Sequence, residues 1–260
     1  MNSLELFKTQ KFYQIDISIL KDLGYDVLLS NRIFDSLLFW KYDILFSYFY
    51  RYSFFAALLA KCFGKKTYFT GGIDSLDSDY ASAFNYKIQA LFFKLCYWVA
   101  DSCIIVSQSD LKNIFKVSSL KKKLSYSEHV INTKLFIADV PKEKIFTSIV
   151  WMGDEGNVVR KGVDKALQIF AELKKIPEFV DYRFVIIGRK GEGEVLVRSI
   201  IDKYNLKGSV ELKGEVSEED KINLLKQSKY YFQLSLYEGF GLAALEALCA
   251  NNIIIHSGKG

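Results

Sequence analysis

Two glutamates near the end of the chain, Glu238 and Glu246, stand on either side of a glycine-containing turn. Gly239 and Gly241 allow the backbone to turn sharply and to approach a ligand closely. After such a turn, the free N–H groups of a helix start and the helix dipole together favour an anion such as phosphate. The spacing therefore predicts a phosphate-binding turn, without the lysine of a Walker motif, that has one carboxylate on each side.

The two carboxylates would repel phosphate, so we expect them to hydrogen-bond hydroxyl groups of the same ligand. A nucleotide sugar has this pattern, because it carries hydroxyls at both ends and a diphosphate in the middle. Glu246 also shares a predicted helix face with Leu242, Cys249 and Ala250, and an unpaired buried charge there would be very costly. The alternative is an ordinary strand–turn–helix unit whose glutamates cap the helix and form salt bridges.

The segment from Ser235 to Ala247, SLYEGFGLAALEA, carries a longer pattern. It resembles the signature S-x-x-E-G-F-G-L-x-x-L-E-A of the group 1 family of retaining GT-B glycosyltransferases (glycosyltransferase family 4, glycogen-synthase-like) at every fixed position. The resemblance implies that Glu238 contacts the donor sugar near the reacting carbon and that Glu246 holds the ribose hydroxyls. The backbone of Gly239 and the N–H groups of Phe240, Gly241 and Leu242 would then face sugar and phosphate.

A basic segment, Arg160-Lys161-Gly162, follows the first predicted strand of the second half. In the family, a lysine before a glycine at this point and an arginine in an upstream Gly-Arg pair bind the diphosphate. Lys161 matches that lysine, whereas Gly153 is followed by Asp154, so Arg160 is the candidate substitute for the arginine. The alternative is a solvated helix N-terminus, although two cations there would oppose the helix dipole.

Other motifs are assigned weaker roles. Gly214, in ELKGEV, matches a family position where the main chain lies near the nucleotide base. The glycines of residues 188–193 lack the G-x-G-x-x-G spacing, so we expect a flexible loop beside the nucleotide and no NAD site. The D-x-D at residues 77–79 lies in a polar loop of the first half and is interpreted as a chance match to a metal motif. His129 and His256 are not assigned to catalysis, and we expect no metal or other cofactor.

The overall composition bounds these expectations. The chain has 260 residues, of which half are hydrophobic and a quarter charged, which indicates a folded protein of one large or two modest domains. Its net charge of +5 suits an anionic ligand or an acidic membrane surface and is too small to indicate nucleic acid. A basic cluster (Lys112, Lys116, Lys121, Lys122 and Lys123) is interpreted as a solvated face or as a peripheral contact with anionic lipid.

The four cysteines, Cys62, Cys96, Cys103 and Cys249, are scattered in apolar contexts. Because there is no C-x-x-C pair and there are only two histidines, we expect reduced core cysteines and no zinc site. The N-terminus does not resemble a signal peptide, and no uncharged apolar run reaches transmembrane length. We therefore predict a cytoplasmic protein.

Predicted strands and helices alternate along the chain, which indicates βαβ units and parallel sheets. In the first half, helices at 3–23, 53–63 and 84–99 alternate with strands at 25–29, 42–47, 66–70 and 102–107. In the second half, strands at 146–152, 182–187 and 209–213 alternate with helices at 162–174, 194–204 and 218–227, before a last strand–helix–strand unit at 231–255. A linker is predicted near 138–144, where Pro141 stands among charged residues.

The first half resembles the acceptor-binding domain of the same family in the order of its segments LGYDV, DILFS, GKKTYFTGG and ADSCIIVSQSDLKNI. The predicted fold is therefore α/β of the GT-B type, with two Rossmann-like, doubly wound parallel-sheet domains. An acceptor-side domain would span residues 1–140 and a nucleotide-sugar-binding domain residues 141–260. The family's first strand and its closing helices have no counterpart, so we expect a fragment or a shortened relative.

The resemblance implies a retaining enzyme that transfers a hexosyl group from a nucleotide-sugar donor to a glycan or lipid-linked acceptor. The alternative is a catalytically inert, nucleotide-sugar-binding subunit that partners an active transferase. The intact Glu238 and Glu246 argue against this alternative, and Asp154 in place of an arginine argues for it. A sugar-nucleotide epimerase would need an NAD fingerprint, which the sequence lacks.

Overall fold

The structure, a computed structural model, describes residues 3–9, 11–71, 73, 76–78, 81–137 and 139–259. The chain divides into two compact units, residues 1–130 and 131–260. This division precedes the predicted boundary at 140/141, because Phe136 packs with Leu225 and Tyr231 in a core of the second unit. Residue 138 of the predicted linker lies outside the described residues, and residue 143 already begins a strand.

The first unit contains a parallel sheet with helices packed on it. Its helices are α1 (Ser3–Thr9), α2 (Lys11–Asp22), α3 (Tyr50–Cys62), α4 (Ala83–Val99) and α5 (Gln108–Val117), with 3₁₀ turns at Ile33–Leu37 and Phe39–Lys41. Its strands are β1 (Ile44–Tyr48), β2 (Lys66–Thr70), β3 (Ser102–Ile105) and β4 (Leu124–Tyr126), and all neighbouring pairs are parallel. The four strands lie in chain order.

The core of this unit is formed by aromatic side chains from the helices and by the strands beneath them. Tyr50 of α3 and Phe69 of β2 are fully buried and stack with ring centroids 5.4 Å apart, and Phe93 of α4 packs against Tyr50. Helix α4 begins where the Ser82 side chain accepts a hydrogen bond from the Asn85 N–H, which is a standard N-cap. The cap and the buried face together fix α4 on the sheet.

Two predicted elements of the first half differ from the structure. Residues 25–29 form no strand: they have no pairing partner among the described residues, and Leu28 is 71% exposed, so no burial stabilises the extended form. The predicted helix at 3–23 is two helices, α1 and α2, and residue 10 between them lies outside the described residues.

The second unit contains a five-stranded parallel sheet. Its strands are β5 (Glu143–Ile149), β6 (Arg183–Ile187), β7 (Val210–Gly214), β8 (Ser228–Gln233) and β9 (Ile253–His256), and its helices are α6 (Glu155–Arg160), α7 (Val163–Leu173), α8 (Glu194–Lys203), α9 (Glu218–Gln227) and α10 (Leu242–Cys249). Two 3₁₀ turns lie at Thr133–Leu135 and Pro177–Phe179. The spatial order is β7-β6-β5-β8-β9. Strands β6 and β7 thus lie on one side of β5, and strands β8 and β9 lie on the other, which places the topological switch point between β5 and β8. In open α/β sheets such a switch point is where ligands bind, at the carboxyl ends of the strands.

Strands β5 and β8 are joined by more than their backbone ladder. Phe146 of β5 stacks on Tyr230 and Phe232 of β8, with ring centroids 4.6 Å and 5.0 Å away. The buried hydroxyls of Thr147 and Ser228 share a hydrogen bond of 2.5 Å, and the Ser148 hydroxyl donates to the Phe232 carbonyl at 3.0 Å. The two strands that border the switch point are therefore held in one register.

Lys142, immediately before β5, binds the ends of two helices. Its Nζ donates hydrogen bonds to the carbonyl oxygens of Leu225, Lys226 and Ala250 at 3.3 Å, 2.8 Å and 2.5 Å, at the C-terminal ends of α9 and α10. Carbonyls at helix ends lack partners within the helix, and a cation there is favoured by the dipole. Partial burial lowers the pKa of Lys142 from its ordinary value.

We expect Lys142→Met to lower the free energy of unfolding by about 2–3 kcal/mol, because it removes the charged donor of the Lys226 carbonyl, whereas the Leu225 and Ala250 carbonyls keep the Asn252 amide. The matched control is Lys144→Met, which removes an exposed lysine whose salt bridge to Asp181, at 3.1 Å, is also exposed. That control should change the free energy by less than about 0.5 kcal/mol. Urea denaturation measures both, and equal losses would contradict the helix-end role.

A second constraint comes from Gly162, between α6 and α7. Its φ of +67° is left-handed, and a Cβ built on it would lie 2.1 Å from the carbonyl oxygen of Leu234, just after β8. No side chain fits such a contact with backbone. The segments that follow β5 and β8 therefore approach each other too closely for any side chain at position 162.

We expect Gly162→Ala to lower the free energy of unfolding by more than about 3 kcal/mol, since it adds a backbone clash to left-handed strain of about 1–2 kcal/mol. Gly208→Ala is the control for strain alone, because Gly208 has a φ of +83° and its Cβ would meet nothing within 4 Å. Urea denaturation of the two variants isolates the contact with Leu234. A similar loss of unfolding free energy in both variants would show that the contact with Leu234 does not contribute to stability.

Candidate functional site

Lys161 and Glu238 meet at the switch point of the second unit. Lys161 follows α6, which lies beyond the carboxyl end of β5, and Glu238 follows β8. The Lys161 Nζ lies 2.5 Å from the Glu238 Oε1, and both side chains are partly buried. The structure thus brings together two residues that the sequence predicted for one site from positions 77 apart.

The Glu238 carboxylate has two further donors. The Gln233 Nε2 and the Ser235 hydroxyl each donate to the same Oε1 at 2.6 Å, and Gln233 also donates to the Ser235 Oγ at 2.9 Å. Ser235 is buried, and its carbonyl accepts a hydrogen bond from Ser257. The carboxylate is therefore held in one orientation by three donors from two segments.

Sequence reasoning did not assign Gln233 or Ser235 to the site. Ser235 is a fixed position of the signature, and Gln233 is the only amide in the apolar run YYFQLSL, so the sequence did carry a signal for each. A buried strand tolerates such a side chain only where it finds hydrogen-bond partners. Here the partner is the carboxylate at the end of the same segment.

Backbone contacts fix the distance between the two loops. The Leu236 N–H donates to the Arg160 carbonyl at 2.8 Å, and Gly162 lies against the Leu234 carbonyl. These contacts flank Lys161 on both sides in sequence. The separation of Lys161 and Glu238 is therefore set by main chain rather than by side-chain choice alone.

Gly241 begins α10 in a left-handed conformation, with φ +77°, and a Cβ there would meet nothing within 4 Å. Gly239 and Phe240 form the bend before it, and Phe240, Gly241 and Leu242 are all partly exposed. The first N–H groups of a helix that starts in open space are available to an anion. The geometry agrees with the predicted phosphate-facing turn, and the contact itself stays a prediction.

Glu246 is buried, with 7% exposure, and it is paired. The Lys221 Nζ of α9 donates to its Oε1 at 2.9 Å and its Oε2 at 2.8 Å, and Lys221 also lies 2.9 Å from Glu218. The sequence analysis offered a salt bridge as the alternative role for this glutamate. The structure shows that salt bridge, and its cation comes from the neighbouring helix.

Helix α7 begins at Val163 with Gly162 as its N-cap, in agreement with the predicted helix start, but the sequence did not predict a helix before it. That short helix, α6, has Arg160 as its last residue and Lys161 as its C-cap, where a cation is favoured by the dipole. Asp154 accepts a hydrogen bond from the Asn157 N–H and caps the start of α6 at the position where the family has an arginine. The Arg160 guanidinium donates to Asn157 Oδ1 at 2.6 Å, within its own helix rather than to Glu238.

The loop at 188–193 is tied to its neighbours, in contrast to the predicted flexibility. The Met152 N–H donates to the Arg189 carbonyl at 2.9 Å, and the Glu192 N–H donates to the Gly153 carbonyl at 3.0 Å. Gly214 ends β7, accepts a hydrogen bond from the Gly188 N–H at 2.8 Å and lies under the Lys190 side chain. The structure thus explains these glycines by close packing, and the proposed contact of Gly214 with a nucleotide base stays a prediction.

The remaining candidates can be placed briefly. Asp79 of the D-x-D lies outside the described residues. Within the described ranges, no three His, Cys, Asp or Glu side chains converge in a way that could hold a metal ion. Cys96 and Cys103 are buried, which raises the pKa of Cys103 to about 12, but Cys62 is exposed, contrary to the prediction of a core position. Among the helices that the structure describes, none is long and apolar enough to cross a membrane.

Comparison with known proteins gives a family match in the second unit and two partial matches to curated proteins. The family described as "Glycosyl transferases group 1" matches residues 156–260. A GDP-mannose:cellobiosyl-diphosphopolyprenol alpha-mannosyltransferase of Xanthomonas oryzae pv. oryzae is 36% identical over 101 residues, which are 38% of this chain and 26% of that protein. A component of the human phosphatidylinositol N-acetylglucosaminyltransferase is 33% identical over 90 residues, which are 35% of this chain and 18% of that component.

Solved structures resemble this chain over more of its length. Anabaena HepE in complex with UDP and glucose aligns with a TM-score of 0.71 at 12% identity, covering 87% of this chain and 62% of HepE. The sucrose-phosphate synthase of Thermosynechococcus elongatus aligns with a TM-score of 0.67 at 19% identity, covering 85% of this chain and 57% of the synthase. At these identities the likeness establishes the fold. Residues 156–260 thus match the group 1 glycosyltransferase family, and the two parallel α/β units have the GT-B architecture of the solved structures that they resemble.

Proposed function

We propose that this chain binds a nucleotide-sugar donor at the carboxyl edge of the second unit's sheet and transfers the sugar to a glycan or lipid-linked acceptor with retention of configuration. The observation that carries the proposal is the meeting of Lys161 and Glu238 at 2.5 Å, at the switch point between β5 and β8. A cation and a carboxylate at this point match the two kinds of polar group on a ligand that carries both phosphate and hydroxyl groups.

Each residue then has a stated task. Lys161 compensates the charge of the diphosphate, and the N–H groups at the start of α10 add donors to the same anion. Glu238 accepts hydrogen bonds from hydroxyls of the sugar, and its fixed orientation positions the reacting carbon. Glu246 accepts hydrogen bonds from the ribose while Lys221 compensates its buried charge. Side chains and backbone N–H groups of the protein supply all of these contacts, so the scheme needs no metal.

Lys161 binds Glu238 in the structure, so a diphosphate must compete with that carboxylate for the ammonium. The exchange is feasible because Gln233 and Ser235 remain as donors to Glu238 when Lys161 turns away. Neither side chain would be left buried without a partner, and leaving one so would cost about 1–3 kcal/mol or more. The two neutral donors therefore support the proposal that Lys161 can bind either Glu238 or the diphosphate.

The names of the relatives support a sugar-nucleotide donor and a lipid-linked acceptor. The Xanthomonas relative is described as using GDP-mannose and a diphosphopolyprenol-linked sugar, and HepE was solved with UDP and glucose. This chain spans 26% and 18% of the two curated relatives described above. Its own donor, acceptor and hexosyl specificity therefore belong to the proposal.

A second candidate is a nucleotide-sugar-binding subunit that lacks turnover of its own. Asp154 favours it, because this aspartate caps α6 where the family carries a diphosphate-binding arginine. The two candidates differ in donor hydrolysis. Release of free sugar from UDP-glucose or GDP-mannose, abolished by Glu238→Gln, would support the enzyme, and the anomeric signal of the first-formed sugar would report retention. Nucleotide binding without sugar release would support the second candidate.

We expect one of UDP, GDP or ADP to raise the melting temperature of the 260-residue chain. A ligand at a hundred times its dissociation constant stabilises a fold by about 2.7 kcal/mol. Glu246→Gln should abolish the shift, whereas Glu172→Gln should keep it, because Glu172 is an exposed glutamate on α7. A cooperative melt with no shift from any of the three nucleotides would contradict donor binding.

Lys161 should discriminate between a nucleoside diphosphate and the bare nucleoside. We expect Lys161→Met to weaken binding of the diphosphate about 10- to 100-fold, since a hydrogen bond to a charged group contributes about 1.5–3 kcal/mol. Binding of the nucleoside should be unchanged, while Glu246→Gln should weaken both ligands. Isothermal titration calorimetry measures the four pairs, with Lys175→Met as the control for an exposed lysine. An equal loss for both ligands in Lys161→Met would remove this lysine from the phosphate site.

A further inference from the structure

The outer face of α4 in the first unit carries apolar and basic side chains in alternation. In order along the helix they are Phe84, Lys87, Leu91, Lys94 and Trp98, and all five are exposed. Phe84, Leu91 and Trp98 are 71%, 55% and 72% exposed. Steps of three and four residues place them on one face of the helix. We call these five residues the α4 stripe.

The stripe is not needed to pack the first unit. Helix α4 contacts the core through Phe93, Cys96, Tyr97 and Val99, which are buried and lie on its other side. At 1.5 Å per residue, the 14 steps from Phe84 to Trp98 extend about 21 Å. Three large apolar side chains are therefore exposed to solvent along most of the helix, and one lysine lies between each successive two of them.

A basic loop adjoins the C-terminal end of the stripe. The Lys123 Nζ donates to the carbonyl oxygens of Tyr97 and Trp98 at 3.2 Å and 3.0 Å, which holds the loop at 118–123 against the end of α4. Lys121 lies over the Phe115 ring at 4.8 Å from its centroid. Phe115 and Leu120 are exposed at 42% and 47%. The mixture of apolar and basic side chains thus continues beyond the helix.

Positive charge in this region is largely unopposed. Residues 81–127 contain seven lysines (Lys87, Lys94, Lys112, Lys116, Lys121, Lys122 and Lys123) and two acidic residues. Of the two, Asp101 is paired with Lys61 at 2.8 Å and Asp110 is buried. Seven lysines and two acidic residues give this segment a net charge of +5, which equals the net charge of the whole chain.

We propose that the α4 stripe and the adjoining basic loop bind the surface of an anionic lipid bilayer. The interface of a bilayer offers lipid phosphates to lysines and acyl chains to large apolar side chains, and tryptophan is favoured at that depth. Each lysine near such a surface contributes about a fivefold gain in binding. Helix α4 carries two lysines and packs on a core, so the contact is peripheral.

A second copy of the chain or an acidic protein fits the stripe less well. Two copies joined through this face would oppose like charges, which disfavours the pair. An acidic protein would need carboxylates at the spacing of Lys87 and Lys94 together with pockets for three large apolar side chains. A bilayer presents both kinds of partner at every point and needs no such match.

The test is co-sedimentation of the 260-residue chain with vesicles of phosphatidylcholine alone and of phosphatidylcholine mixed with phosphatidylglycerol, without nucleotide. We expect binding to the mixed vesicles, little to phosphatidylcholine alone, and a loss at 1 M salt, where the screening length falls to about 3 Å. The stripe variant Leu91→Ser/Lys94→Glu should bind the mixed vesicles at least about tenfold more weakly.

The matched control is Val195→Ser/Lys203→Glu, which makes the same kind of change at two exposed positions of α8 in the second unit. It should bind like the unaltered chain. An independent variant, Lys121→Glu/Lys122→Glu, should also weaken binding. Equal binding by the stripe variant and the control, equal binding to the two kinds of vesicle, or concentration-dependent self-association that only the stripe variant loses would overturn the proposal. Because no nucleotide is used, the outcome is independent of the donor site.

Discussion

The second unit depends on the contact between two stretches of main chain, at Gly162 and at Leu234, beside the central pair of strands. A left-handed glycine is required there because any Cβ would overlap a carbonyl oxygen. This contact, with the Leu236–Arg160 hydrogen bond, fixes the loops that carry Lys161 and Glu238. An ion pair between two long side chains is ordinarily worth little, but here the backbone supplies the geometry in advance.

Charge compensation is a second theme of the same unit. Each of the two glutamates of the signature has its own lysine, and both lysines lie outside the signature: Lys161 follows α6 and Lys221 lies on α9. The pairs differ in what surrounds them. Glu238 keeps two neutral donors besides its lysine, whereas Glu246 is buried and held by both oxygens. This difference suits a carboxylate that exchanges partners and one that does not.

Much of the fold could be predicted from the sequence, because alternating strands and helices, glycines after helices and buried apolar runs are all local signals. Helix α6 escaped because six residues are too few to show a helical period, and Asp154 was interpreted as a missing arginine rather than as a cap. Residues 25–29 have the composition of a strand, but strand formation needs a neighbour that local sequence cannot supply. Lys221 was missed for the same kind of reason, since its pairing with Glu246 arises only when α9 and α10 pack together.

The position of β5 has a consequence for how the second unit is made. Strand β5 is the first of the second unit's strands along the chain but is central in their sheet, so both of its neighbours are synthesised later. The hydroxyls of Thr147 and Ser148 form hydrogen bonds with Ser228 and Phe232 of β8, which lie 81 and 84 residues later in the chain. Until then they can bond water, which makes the unfinished strand less prone to pair with a foreign one than a wholly apolar strand would be. The two hydroxyls that fix the register of the finished sheet thus also make the unfinished strand less apolar.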